Sequence, residues 1–185
     1  MKKQISILAL SLGLISFGVN AQHNHKPENK KTETKMSTNN PEFQKQLESV
    51  FKANLKLNDA FVASDALKIK EAVKPIKDAI AKIDIKLLKE NAHQIWGTYS
   101  NELTQGLKKI ENSENIKEQR QHFSVYNETL YKSIKEFGIG EEVYFQHCPM
   151  ALNNEGASWL SNSKEIRNPY FGDKMLKCGV VKETL

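Results

Sequence analysis

The stretch PEFQKQLESVFKANLKLNDAF, residues 41–61, decides the fold class of this chain. Its apolar and small polar side chains recur at steps of three and four residues, which places them on one face of an α-helix. That face comprises Phe43, Leu47, Val50, Phe51, Asn54, Leu57, Asn58 and Phe61. A strand would need a period of two. The folded part of the chain therefore begins with an amphipathic helix.

The same period continues through three further segments, which predicts three more helices. Their expected boundaries follow from capping residues, proline and glycine. The second helix is expected to start at a cap formed by Ser64 or Asp65 and to kink or break near Lys74 because of Pro75. The third is expected to start at a cap formed by Asp84. The fourth is expected to start at Ser113 and to end at Gly138 and Gly140.

Short connections between amphipathic helices favour antiparallel neighbours. The sequence therefore predicts an all-α fold, with an antiparallel four-helix bundle over residues 41–140. Residues 141–185 are rich in glycine, proline and asparagine. We expect them to form an irregular C-terminal cap docked on the bundle, with a short extended segment at 143–146 and a brief helix near 172–177.

The first 21 residues have the features of a signal peptide. Lys2 and Lys3 precede an apolar run, and small residues around Ala21 fit a cleavage site. The run is shorter than the roughly 20 apolar residues of a transmembrane helix, and no later segment is apolar enough to span. We expect a periplasmic or secreted mature protein without a membrane span.

Residues 22–40 lack apolar periodicity and are predicted to be a flexible polar tail. His23 and His25 lie near the expected new terminus, where an amine, a backbone nitrogen and an imidazole could form a secondary Cu(II) site. The alternative is a solvated tail with two incidental histidines.

The charge balance argues against a nucleic-acid partner. The whole chain carries 27 basic and 22 acidic residues, a net of +5, and loss of Lys2 and Lys3 would leave about +3. We find no nucleophile–base pattern, phosphate-binding glycine loop or paired acid motif, so an enzyme is not expected.

The cap carries the residues with the most distinctive chemistry. Thiolates and thioethers are soft ligands that select Cu(I) or Ag(I), with imidazole as a further donor. The candidate metal ligands are His147, Cys148, Met150, Met175 and Cys178. Zinc competes through two cysteines and a histidine, although it leaves the methionines without a role.

A disulfide between Cys148 and Cys178 is the alternative interpretation. An oxidising compartment favours disulfides, and a loop of about 30 residues closed in this way gains about 3–4 kcal/mol on the chain-entropy model. The methionines would then be packing residues. The cap would be the stapled part of a non-metal interaction module.

Several stretches resemble the domain of unknown function 3347 family. They are HCPMA at 147–151, GASWLS at 156–161, EIRNPYFG at 165–172, MLKCG at 175–179, NDAFVASDA at 58–66 and QRQHF at 119–123. The resemblance covers about 43–179 and is strongest over the last 36 residues of that range.

The resemblance implies an exported helical protein associated with copper or silver handling, because the family's domain also occurs fused to periplasmic adaptor subunits of Cu/Ag efflux systems. Such an adaptor is a possible partner. The resemblance does not identify the ligands, which remain a hypothesis. It favours metal binding over the disulfide alternative. We interpret four further residues as structural, because they would form a buried anchor and a turn that fixes the loop. They are Trp159, Asn168, Pro169 and Tyr170.

Overall fold

A computed structural model describes residues 40–185, so the expected signal peptide and most of the polar tail lie outside the described residues. Within the described residues four long helices are present, as predicted: α1, Pro41–Val62; α2, Ala66–Ala81; α3, Glu90–Asn112; and α4, Ile116–Phe137. A three-residue 3₁₀ helix, Ile85–Leu87, lies between α2 and α3. Consecutive helices pack against each other, and α1 also contacts α4. The helical bundle expected from the sequence is confirmed.

The apolar face of α1 forms the centre of the bundle. Every residue assigned to that face is buried, including the polar Asn54 and Asn58. Phe43 packs edge-on against Trp96 of α3, with ring centroids 5.4 Å apart, and also contacts Phe137 of α4. Aromatic pairs of this kind add to the free energy of area burial, so one helix connects two others through its first turn.

Pro75 does not interrupt α2, so the expected alternative of a break near Lys74 was wrong, whereas the alternative of a kink stays a prediction. The helix runs continuously from Ala66 to Ala81 with the proline inside it. Pro75 and Glu71 are both exposed. Water can therefore satisfy the Glu71 carbonyl, which the missing proline amide leaves without its helical partner.

Two predicted helix starts were wrong. Asp84 caps the 3₁₀ helix, through a bond from the amide of Lys86, and α3 begins only at Glu90. Ser113 ends α3 and its hydroxyl donates to the carbonyl of Lys109, whereas Asn115 caps α4. Aspartate and serine stabilise several kinds of turn, so their presence does not identify which helix they cap.

The cap contains a small antiparallel sheet, of which the sequence predicted only one extended segment. Its strands are β1, Tyr144–Cys148; β2, Ala157–Ser161; and β3, Val180–Thr184, in the order β2-β1-β3. A short turn over Ala151–Asn154, with left-handed backbone angles at Leu152 and Asn153, lies between β1 and β2. The long connection from β2 to β3 is irregular apart from a 3₁₀ helix at Gly172–Lys174, which is shorter than the helix expected at 172–177.

Specific contacts join the cap to the bundle. The Asn58 side chain donates to the main-chain carbonyl of Leu160 over 2.6 Å. Tyr131 of α4 stacks on Phe145 of β1, with ring centroids 4.0 Å apart. Helix and sheet therefore share one core. Of the helices within residues 40–185, none combines the length and apolarity needed to cross a bilayer.

Candidate functional site

The two cysteines meet at one end of the sheet. Strand β1 pairs with β3 so that His147 lies opposite Val180. Because the strands are antiparallel, the residues just before Val180 return alongside the end of β1. The Sγ atoms of Cys148 and Cys178 are 2.7 Å apart, although 30 residues separate them in sequence, and both thiols are free.

Hydrogen bonds fix the backbone at Cys178. Its amide donates to the carbonyl of Met175 over 3.0 Å, closing a tight turn. Its carbonyl accepts from the side-chain amide of Asn168 at 2.7 Å, and the Asn168 main-chain amide binds the carbonyl of Leu176. Asn168 is fully buried. It therefore holds both sides of the turn that presents the thiol.

Gly179 permits the close approach of this turn to the sheet. Its φ is +146°, and a Cβ there would lie 2.8 Å from the Trp159 ring and 3.1 Å from the main-chain oxygen of His147. A larger residue would push the chain away from β1. The glycine after Cys178 is thus part of the geometry that brings the two sulfurs together.

His147 lies on the other face of β1. Neighbouring residues of a strand point to opposite sides, and the burial agrees, because Cys148 is fully buried whereas His147 is partly exposed. The His147 Nδ1 atom lies 3.0 Å from the hydroxyl oxygen of Ser158. Within residues 40–185, no group of three or more His, Cys, Asp or Glu side chains converges in a metal-binding arrangement. The imidazole is therefore not brought to the sulfur pair.

The two methionines lie near the pair in sequence and reach the surface. Met150 follows Pro149 in the turn after β1, and its side chain is 47% exposed. Met175 ends the 3₁₀ helix and is partly exposed. Neither residue is part of the buried core, and both have solvent-exposed surface.

The sulfur pair resembles a disulfide-forming pair more than an occupied metal site. Two thiolates of one tetrahedral zinc ion, each about 2.3 Å from it, stand about 3.8 Å apart. A more linear Cu(I) site would separate them further. The hydrogen bond with Cys148, with a smaller contribution from burial, raises the pKa of the Cys178 thiol above its ordinary value. Because the ligands of one ion stand further apart than these two sulfurs, the pair must open to admit an ion.

The remaining expected cap residues form a buried support. Trp159 and Tyr170 pack edge-to-face at 6.1 Å, and the Tyr170 hydroxyl donates to the carbonyl of Ser158. The main-chain amide of Tyr170 donates to the side-chain oxygen of Asn168. Pro169 is buried, and its carbonyl accepts from Arg120 Nε at 2.9 Å.

Arg120 is a residue whose role was not predicted from the sequence. It lies on α4, and its Nη2 atom donates to the carbonyl of Phe61 and to the hydroxyl of Ser64. One side chain thus joins the cap, α4 and the α1–α2 turn. Only its place in the QRQHF stretch marked it, and a lone arginine on an amphipathic helix carries no signal of such a contact.

His23 and His25 lie outside the described residues, so the secondary Cu(II) site stays a prediction.

Comparison with known proteins identifies the family of the chain. A family model described as "Protein of unknown function (DUF3347)" matches residues 50–142, and the chain belongs to this family. The match lies on the bundle and ends before β1, whereas the resemblance noted in the sequence was strongest in the cap. No curated protein and no solved structure matches the chain.

Proposed function

We propose that this member of the DUF3347 family is an exported protein that binds Cu(I) or Ag(I) as a buffer or carrier in copper or silver homeostasis. The observation that carries the proposal is the pair of free cysteines, whose sulfurs lie 2.7 Å apart at the end of the sheet. Two thiolates suffice for a soft ion, because soft sulfur ligands select Cu(I) and Ag(I) over hard cations.

Binding requires the pair to open by more than about 1 Å, since ligands of one ion stand further apart. Cys178 is the residue that can move, because it is partly exposed in a turn, whereas Cys148 is fully buried in a strand. Met150 and Met175 are the proposed additional donors. His147 would join only if its contact with Ser158 were broken.

The ion would leave by exchange onto a partner's soft donors. The exposed Met150 thioether offers a first point of contact for such a partner. A periplasmic adaptor of a metal efflux system is the proposed recipient, and no catalytic step is involved.

A second candidate function is an interaction module without a metal, whose cap is stapled by a Cys148–Cys178 disulfide. The specific observation in its favour is the short sulfur separation, because covalent closure needs less movement than opening around an ion. Closure would stabilise the irregular connection between β2 and β3 by constraining the unfolded chain.

Titration of the mature protein with Cu(I) separates the two functions. The titration is run anaerobically with a reductant, in competition with a chromophoric Cu(I) chelator. We expect one ion per chain for the wild type and loss of that site in Cys148→Ser and Cys178→Ser. His122→Gln, on α4, is the matched control and should bind like the wild type.

Binding that survives both cysteine substitutions would refute the cap site. Absence of binding by the reduced wild type, together with a disulfide in protein isolated from cells, would favour the stapled module. Leucine substitutions at Met150 and Met175 refine the result. Loss of affinity assigns the thioethers to the site, whereas packing residues tolerate this exchange at a cost below about 1.5 kcal/mol.

A further inference from the structure

The two thiols of the pair differ sharply in access to solvent. Cys148 has no exposed surface and belongs to the hydrophobic core together with Ala157 and Trp159. Cys178 is partly exposed and only packs against the edge of that core. A reagent arriving from solvent can therefore reach one sulfur and not the other.

The difference in access is built into the fold. Cys148 is the last residue of β1, pairs with Ala157 of β2 and is fully buried. Cys178 lies in a turn fixed by Met175 and Asn168. The turn leaves Cys178 partly exposed while keeping its sulfur next to the buried one. The arrangement matches what thiol–disulfide exchange requires, an accessible attacking sulfur and a second sulfur within reach of it.

We propose that Cys178 is a site of thiol–disulfide exchange with small-molecule disulfides, and that Cys148 resolves the adduct. This activity does not depend on metal binding; it needs only the reduced pair.

In the first step, the Cys178 thiolate attacks one sulfur of the incoming disulfide. The S–S bond of the reagent breaks, its electron pair leaves with the other half as a thiolate, and Cys178 carries a mixed disulfide. In the second step, the Cys148 thiolate attacks Cys178 Sγ and expels the remaining half. The protein loses two thiol protons and two electrons, and the reagent is reduced to two thiols.

The consequence is a pair that takes up an ion only when reduced. The closed disulfide has no thiolate to offer, because the thiolate is the form of cysteine that binds metal. Oxidising conditions would convert any metal site at this pair into a Cys148–Cys178 disulfide.

The experiment uses the aromatic disulfide 5,5′-dithiobis(2-nitrobenzoate) with wild type, Cys148→Ser and Cys178→Ser, each reduced beforehand and freed of reductant. Wild type should release two equivalents of nitrothiobenzoate and retain no adduct by mass. Cys148→Ser should release one equivalent and retain the adduct on Cys178. Cys178→Ser should react at least about tenfold more slowly, since its thiol is buried.

Equal rates for the two variants in the folded state would overturn the assignment, as would an adduct that persists on the wild type. In denaturant the two variants should react at the same rate. This control shows that any difference in the folded state does not come from the reagent or from the protein concentration. If a variant fails to fold, wild type treated with a substoichiometric alkylating reagent replaces it. Peptide mapping should then find the label first on Cys178, and a label found first on Cys148 would refute the proposal.

Discussion

The side-chain amide of Asn168 donates a hydrogen bond to the main-chain carbonyl of Cys178, so a buried residue ten positions earlier fixes the turn that carries the thiol. The same side chain accepts from the amide of Tyr170 at 2.8 Å through its oxygen. The Cys178 carbonyl needs a donor and the Tyr170 amide needs an acceptor, so the two neighbours together determine the orientation of the Asn168 side chain. Only an amide of this size supplies both.

Substitution Asn168→Asp tests this relationship. The carboxylate keeps the acceptor for Tyr170 but loses the donor to Cys178, and it places an acceptor against a carbonyl in a buried site. We expect a loss of about 1–3 kcal/mol in the free energy of unfolding, measured with urea. Because the turn is released, the reduced variant should also close its disulfide more slowly than wild type in a thiol redox buffer.

Asn162→Asp is the matched control, since Asn162 is exposed in the same cap. It should leave both quantities near the wild-type values. The positioning role of Asn168 is refuted if Asn168→Asp closes its disulfide at the wild-type rate, even where the stability falls.

Gly156 should be intolerant of any side chain. Its φ is +82°, and an added Cβ would lie 2.9 Å from Cε1 and 3.1 Å from Nε2 of His147. Gly156→Ala must therefore strain the backbone and displace the imidazole from Ser158. We expect the variant to lose more than about 1 kcal/mol of stability in thermal unfolding.

The control for this change is Gly97→Ala, in the middle of α3. A Cβ at Gly97 meets no atom within 4 Å. Alanine there should stabilise the protein by about 0.5–1 kcal/mol, because glycine is unfavourable inside a helix. Opposite signs for the two variants are expected, and a Gly156→Ala variant as stable as wild type would contradict the packing at His147.

Sequence periodicity predicted the bundle well because a long amphipathic helix repeats one signal many times. The polar Asn54 and Asn58 were placed on the buried face of α1 by spacing alone, and both are buried there. Helix starts were predicted less well, since Asp84 and Ser113 are chemically able to cap a helix but serve neighbouring turns. A single residue carries too little information to locate a boundary.

The cap was harder to predict, for a different reason. Strand β3 is mostly exposed, including Val180 and Val181, so its sequence lacks the alternation that marks a half-buried strand. It exists because it pairs with β1 across more than 30 residues of chain. Cysteine chemistry indicated correctly that Cys148 and Cys178 would meet. The placement of His147 on the opposite face depended on the strand, which periodicity did not define.

Arg120 should be needed to hold the cap to the bundle. It is the side chain that binds the Pro169 carbonyl, the Phe61 carbonyl and the Ser64 hydroxyl together. Arg120→Met keeps the apolar stem and removes these bonds, and we expect a loss of about 1–3 kcal/mol by urea denaturation. Amide hydrogen exchange should accelerate in the loop around Asn168 and Tyr170.

Lys117→Met is the control for Arg120→Met, because Lys117 is exposed on the same helix. It should change neither stability nor exchange in the cap by a comparable amount. Faster exchange spread evenly over all helices of the Arg120 variant would argue against a local attachment.

Asp65 should make the stability of α2 depend on pH in the acid range. Its side chain caps the helix by accepting from the main-chain amides of Lys68 and Leu67, and these bonds together with the Lys68 side chain hold the pKa of Asp65 below its ordinary value of 3.8. A folded-state pKa below the unfolded value means that the ionised form stabilises the fold. That contribution is complete above the unfolded pKa and disappears as the pH falls through the folded pKa.

Asp65→Asn provides the test, because asparagine caps helices about as well without ionising. We expect wild type to have the higher thermal midpoint at neutral pH, and the difference to shrink as the pH falls below the ordinary aspartate range. Glu71→Gln, an exposed carboxylate later in α2, is the control and should lack this pattern. A difference between wild type and Asp65→Asn that is constant with pH would mean that the charge of Asp65 contributes nothing to the cap.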